Sequence, residues 1–300
     1  MKNKSSAFSL IELSIVILII GVLIAGVTQA SRLVRQSKLT IAKTLTQSSA
    51  VNSIKGLVLW LEPTMDNSFI STEAVDGATL SKWYDLNPQL SLPNTFTAGS
   101  GITYKASSTN SLPAVAFADN NTSFAGTYLD TPFSAYTIFY VARSTNLAAE
   151  NTVFYDGTSG TNGFGVSLTS AGLTKVTYGV STTFNFGLTA ASAGAADIIS
   201  ITIDPNSVLG LAVATPSVKA YKNGGGVSSD TAKTITLSSW VNPASTGALR
   251  IGNSTASSTT TDFIGEISEV IVFDNVLKKS DRQEVEKYLS KKYAITISQN

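Results

Sequence analysis

The feature that most constrains this chain is the run Leu10–Val27, in which Glu12 and Ser14 are the only strongly polar side chains. At about 1.5 Å per residue a helix over this run reaches about 27 Å, enough to cross the hydrocarbon core of a bilayer. Lys2 and Lys4 precede it, so the positive-inside tendency keeps the N-terminus in the cytoplasm and sends the rest of the chain across the membrane. Glu12 is the anomaly. A carboxylate in hydrocarbon costs roughly 2.5–3.5 kcal/mol and calls for a partner. A cut just before Phe8 would supply one, because the new α-amine has an intrinsic pKa of about 7.7–8.0 and is largely cationic. That amine lies about one turn from Glu12 in its own helix. Between staggered neighbouring helices the same pair would set an axial offset.

A short basic leader, a small residue, then Phe8-Ser9-Leu10-Ile11-Glu12-Leu13 and a long apolar helix resembles the class III signal of type IV pilins and type II secretion pseudopilins. The resemblance implies cleavage by a prepilin peptidase between Ala7 and Phe8, N-methylation of Phe8, and Glu12 as the carboxylate that guides assembly with other pilin or pseudopilin subunits. Two positions depart from the family pattern: Ala7 stands where Gly is usual, and the helix-kinking Pro of many type IV pilins is absent, leaving Gly21 and Gly26 as the flexible points. An ordinary secretory signal cut after Thr28-Gln29-Ala30 is the bland alternative. It leaves Glu12 inside the apolar core unexplained, and that core exceeds the usual length of about 7–15 residues. A plain membrane anchor is the third reading.

Composition removes whole classes of chemistry. The chain has no histidine, which excludes His-dependent triads and His-ligated zinc, and no cysteine, so neither a disulfide nor the C-terminal bridge of many type IV pilins is available. Lys+Arg 21 against Asp+Glu 20 gives +1, and losing Lys2 and Lys4 with the leader takes it to −1. No basic face argues for nucleic acid. The 43% hydrophobic content suffices for a sizeable core.

Beyond Val27 the helix is expected to continue as an amphipathic stalk, with Ala30, Leu33, Val34, Ile41, Ala42 and Leu45 at helical spacing packing beneath a globular domain. Thr46–Ser53 is its weakest part, and Gly56 ends the pattern. From there the period is two. Strands are expected at Leu57–Leu61, Ala114–Phe117, Tyr136–Ala142, Thr152–Tyr155, Gly163–Leu168, Lys175–Val180, Asp197–Ile203, Val218–Lys222, Ala248–Ile251 and Phe263–Phe273, with Tyr136–Ala142 central because it is apolar on both faces. Ser280 and Gln283 read as the capping box of a closing helix with Val285, Tyr288, Leu289 and Tyr293 as its apolar stripe. The fold class is therefore a long N-terminal α-helix, transmembrane then amphipathic, followed by an all-β jelly-roll sandwich with a short C-terminal helix. The expected segments are a leader at 1–7, a transmembrane and assembly helix at 8–27, a stalk at 28–55 and the sandwich at 56–300.

Gly56–Leu61, Trp83-Tyr84-Asp85-Leu86, Tyr136–Ala142, Leu249–Asn253, Ile267–Asp274 and the closing Glu284–Tyr293 are similar, in that order, to stations of a LamG-like, concanavalin A-like jelly roll. Related sandwiches often bind calcium, and Asp119-Asn120-Asn121, Asp130, Asp156 and Asp262 sit in expected loops, but no EF-hand-like spacing is present and no metal or cofactor residue is assigned. Glu266 and Glu269 are the one close acid pair on an expected strand. Three apart, they point to opposite faces unless a bulge intervenes, which argues against a glycosidase pair and for Glu269 as a half-buried, hydrogen-bonded acid beside Ile267, Ile271 and Phe273. Trp60 and Trp83 read as core, while Trp240 is the better candidate for stacking on a sugar. Gly224-Gly225-Gly226 lacks a following Lys-Ser/Thr and reads as a hairpin turn.

Together these features describe a non-enzymatic type IV pilin-like subunit, minor because its head of about 240 residues is bulky. It would be processed at the cytoplasmic membrane and display, in the periplasm or at the cell surface, a sandwich that binds a glycan or protein ligand. A type II secretion pseudopilin acting in cargo export, and an exported or anchored sandwich with glycan-directed enzyme activity, are the alternatives.

Overall fold

The computed structural model of the 300-residue chain describes residues 9–118, 122–126, 135–159, 162–180, 182–186, 193–204, 213–214, 217–230, 235–236, 248–254 and 261–298. One unbroken helix, α1 (Leu10–Gln47), leads into a single 3-10 turn (Ala50–Asn52) and then the head. The turn chemistry follows from sequence: the Ser48 hydroxyl donates to the Thr44 carbonyl, and the Asn52 amide bonds the Thr46 and Gln47 carbonyls. Gly56 takes φ +84°, where a Cβ would run into the Asp274 and Asn275 side chains, and the chain enters the sheet.

The strands in chain order are β1 (Leu57–Leu61), β2 (Lys82–Tyr84), β3 (Thr95–Ala98), β4 (Thr103–Lys105), β5 (Ala114–Phe117) and β6 (Phe124–Gly126). There follow β7 (Tyr136–Ser144), β8 (Asn151–Ser159), β9 (Asn162–Leu168), β10 (Thr174–Val180), β11 (Thr182–Phe186) and β12 (Asp197–Asp204). The last are β13 (Val213–Ala214), β14 (Ser217–Lys222), β15 (Gly225–Asp230), β16 (Ile235–Thr236), β17 (Ala248–Ile251) and β18 (Gly265–Phe273), before helix α2 (Lys279–Tyr293). One antiparallel sheet runs β15-β14-β12-β7-β18-β5-β4, with β1 also paired to β18, and the other runs β11-β10-β9-β8-β17-β6-β3-β2. The expected strands all form, and β7 is central as its two-sided apolarity required. The sequence reading passed over β2, β3, β4, β6, β11, β13, β15 and β16, most of them two to four residues long and too short to show a period.

The head has three layers. Between the sheets lies a core including Leu59, Trp83, Phe96, Phe124, Phe154, Val270 and Val272. A second core, on the outer face of the β7–β18 sheet, is roofed by α2 and the end of α1, and includes Ala42, Trp60, Phe139, Ile271, Phe273, Tyr288 and Leu289. A strand covered on both faces has no polar side to alternate, which is why all nine residues of β18 are buried.

Asp85 ties β1 to the segment after β2. Its carboxylate accepts the Trp60 and Asn87 backbone N–H groups, both at 2.9 Å, and the Asn94 amide at 2.9 Å. Burial pushes this carboxyl up to about 6 despite those three donors. Raised above its unfolded value, it adds stability below that value and loses it as the pH rises through about 6. Guanidinium unfolding followed by tryptophan fluorescence should therefore show a gain of about 1 kcal/mol between pH 7 and pH 5, and Asp85→Asn should flatten that part of the profile.

Candidate functional site: the projecting helix and its seat in the head

Ser9 caps α1. Its hydroxyl accepts the Ile11 N–H at 3.3 Å, and the Glu12 carboxylate reaches back to accept the Ser9 N–H at 2.9 Å. Ser9 and Glu12 are thus a capping box, with the carboxylate at the positive end of the helix dipole. Glu12 is exposed; Ala7 and Phe8 lie outside the described residues.

Downstream of this cap the helix is apolar on every side. Its most apolar window has a mean hydropathy of 2.9 with no residue buried, and the large apolar side chains from Leu10 to Val27 stand 49–87% exposed. A helix apolar all round must be covered by something other than its own head, and its length suits a membrane. The expected stalk stripe is not buried against the head as a whole. Ala42 is buried and Leu45 packs beside it, but Leu33, Val34 and Ile41 are 67%, 56% and 57% exposed. The head grips only the last turns, through Lys38 to Asn110 at 3.0 Å, Lys43 to Asp66 at 2.5 Å and Thr46 to Tyr288 at 3.1 Å. The preceding 28 or so residues form an arm about 40 Å long.

The seat of that arm is a buried polar cluster. Lys292 Nζ, fully buried on α2, donates to Glu62 Oε2 at 2.5 Å and Glu269 Oε2 at 2.9 Å, and lies 2.9 Å from Thr46 Oγ1 and 3.0 Å from the Tyr288 hydroxyl. Glu269 also accepts from Trp60 Nε1 at 2.7 Å, Tyr288 at 2.8 Å and Tyr293 at 2.9 Å. Glu62 accepts the backbone N–H groups of Thr64 at 3.0 Å and Met65 at 2.8 Å. Burial pulls the Lys292 amine down, but the two carboxylates outweigh it and the net direction is up, an ammonium. Burial pushes Glu269 up, with Lys292 opposing and the charge of Glu62 adding.

Glu269 faces this cluster because of a bulge. Ile267 pairs with Ala142 and Glu269 with Val141, so Ser268 is the extra residue. Ile267 and Val270 therefore both enter the inter-sheet core, and Glu269, Ile271 and Phe273 face the helices. This corrects the expectation that Ile267 shares the face of Glu269. Glu269 is completely buried, not half-buried, and Glu266 is engaged separately by Arg143 at 2.7 Å and by the Ser108 hydroxyl. The two acids form no solvent-open pair.

The other singled-out residues are placed as follows. Trp60 and Trp83 are core, Trp83 stacked on Phe69 at 5.7 Å. Asp156 lies within strand β8 and not in the expected loop, Asp262 lies in a loop, and both are buried, at 3% and 4% exposure. Asn223 and Gly224 take φ of 50° and 73° in the β14–β15 hairpin, as the glycine run implied. Trp240, Asp119, Asn120, Asn121 and Asp130 lie outside the described residues. The capping box at Ser280 is not formed: α2 starts at Lys279, its N-cap Lys278 makes no side-chain cap bond, and Ser280 bonds Asp281 instead. Among the described residues no group of three or more His, Cys, Asp or Glu side chains is arranged to hold a metal.

In class, then, this is a membrane-length helix carrying a two-sheet antiparallel sandwich. Its N-terminus carries the prokaryotic N-terminal methylation motif, matched over residues 2–28. A sequence search of the curated proteins finds no match. Among solved structures the head is similar to domain 4 of AbnA, a GH43 extracellular arabinanase from Geobacillus stearothermophilus, in complex with arabinotriose, at 16% identity and TM-score 0.51 over 77% of this chain and 97% of that one. It is also similar to the Botulinum neurotoxin serotype D binding domain, at 11% identity and TM-score 0.52 over 80% of this chain and 52% of that one. A Trypanosoma rangeli sialidase in complex with 2,3-difluorosialic acid follows at 13% and 0.50, over 79% and 33%. At these identities the likeness is one of fold.

Removing the cation from the cluster leaves two carboxylates buried without a counter-ion. Lys292→Met is expected to cost about 3–5 kcal/mol. Denaturant unfolding read through Trp60, whose indole sits on Glu269, measures it.

Proposed function

We propose that this chain is a type IV pilin-like precursor, a minor subunit cut by a prepilin peptidase between Ala7 and Phe8 and methylated on Phe8. It assembles with other pilin subunits through its helix, guided by Glu12, and displays the sandwich as a glycan-binding, non-catalytic head at the cell surface. The observation that carries the reading is the coincidence of a methylation motif at residues 2–28 with a helix apolar all round that its own head leaves bare. The exposed Leu33, Val34 and Ile41 extend that surface beyond the membrane-length run, where only neighbouring subunits could cover it. The head's likeness to an arabinotriose-bound domain supports a glycan as its ligand.

Freeing the α-amine of Phe8 changes the role of the cap. Before cleavage Glu12 satisfies the Ser9 N–H within its own helix. After it, the carboxylate can meet a cationic terminus on a neighbour, an exchange of a hydrogen bond for an ion pair in hydrocarbon, where such pairs are strong.

The mature N-terminus read by mass spectrometry should be a methylated Phe8. A chain that keeps its first seven residues, or one that starts at Ser31, would end the filament reading. Glu12→Ala should insert and be processed normally, yet enter filaments about 100-fold less well, the loss of about 3 kcal/mol that follows an unpaired buried charge. On a glycan array the detergent-solubilised chain should retain ligand unchanged, whereas turnover would move the head to the enzymes.

A further inference from the structure

The Lys292 cluster holds more chemistry than a structural ion pair needs. We propose that Lys292 and Glu62 are joined by an intramolecular amide bond between Nζ and Cδ, formed by the folded chain itself with Glu269 as the proton carrier.

The geometry supplies each requirement of the condensation. Nucleophile and electrophile are neighbours, Nζ lying 2.5 Å from Oε2, an oxygen carried by the electrophilic Cδ of Glu62, so most of the approach entropy is already met. The oxygens of Glu62 are held by the backbone N–H groups of Thr64 and Met65, at 3.0 and 2.8 Å, fixed dipoles of the kind that stabilise a tetrahedral oxyanion. Glu269 Oε2 stands 2.9 Å from the same nitrogen, where a carboxyl can give one proton and take another. All three charged groups are wholly buried, so bulk water, which would drive the reverse hydrolysis, is excluded. The cluster has two carboxylates for one amine. One added proton makes the set neutral, and burial raises the proton affinity of Glu269.

The step balances without any further reactant. A proton passes from Nζ to Glu62 Oε2, leaving an amine facing a carboxylic acid. The nitrogen lone pair attacks Cδ, and the carbonyl electron pair moves onto Oε1, which the Met65 N–H at 2.8 Å and the Thr64 hydroxyl at 3.0 Å hold, while the Thr64 N–H lies on the departing Oε2. Glu269 gives its proton to the departing hydroxyl and takes one from the bonded nitrogen. The C–O bond breaks, one water leaves, and Glu269 is again an acid. The product links positions 230 residues apart, so it closes almost the whole head into one loop in a chain without cysteine. Thr46, the last buried residue of α1, touches the same nitrogen, so tension along the arm would enter the head at this bond.

The test is the intact mass of the full-length mature protein purified in detergent, followed by peptide mapping. The expected mass is one water, about 18 Da, below that of the linear chain, and a digest should yield one branched species containing both Glu62 and Lys292. Separate linear peptides for these two residues overturn the proposal and leave the cluster an ion triad. Glu62→Gln should still cross-link, losing ammonia in place of water, about 17 Da. Glu269→Gln should give the linear mass with an unchanged circular dichroism spectrum, and a cross-link persisting in E269Q overturns the role assigned to Glu269.

Discussion

Three elements far apart in sequence meet around one nitrogen. Lys292 projects from α2 into a space bounded by Glu62 after β1, Glu269 on β18 and Thr46 at the foot of α1. An ammonium removed from water is tolerable only where counter-charges and hydrogen bonds replace its hydration, so these partners cannot drift apart without leaving a bare charge in the core. The helix that projects from the head is thereby fastened to the middle of the sheet, not to a flexible edge. Mechanically, arm and head behave as one piece from about Lys38 onward.

The same economy explains the asymmetry of α1. Its last turns, from Lys38 onward, meet the head and bury Ala42 and Thr46 there, and everything before Lys38 is left uncovered. In isolation such an arm would be insoluble. It becomes reasonable when a bilayer covers it first and other helices later, and the methylation motif at its start is in keeping with that order. The head needs no such help, since its sheets and helices bury two cores of their own.

How legible the chain was depends on the range of the interactions involved. Leu10–Val27 and the two-sided apolarity of Tyr136–Ala142 are local patterns with local causes, and both were readable. Glu269 was legible as an acid on the face of Ile271 and Phe273, but Ile267 was wrongly placed beside it, because a bulge at Ser268 shifts the alternation by one and nothing in Glu266–Phe273 announces it. The Ser280 box failed because Lys278 and Lys279 start α2 two residues earlier than the motif suggests. Lys292 entered the sequence reading only as part of the closing stretch Glu284–Tyr293, and Glu62 not at all. A lysine in a run Lys291-Lys292 carries no sign that its neighbour is solvated while it is wholly buried.

By itself the sequence determined the membrane-length helix, the lone carboxylate in it, the β character of the head and the absence of imidazole and thiol chemistry. Each follows from composition or from a period within a few residues. Only the tertiary structure decided which face of β18 looks at the helices, that the stalk's apolar stripe stays mostly bare, and that Glu62, Glu269 and Lys292 share one buried site. Those outcomes depend on strand register and helix docking, which bring together residues more than two hundred positions apart and leave no local trace.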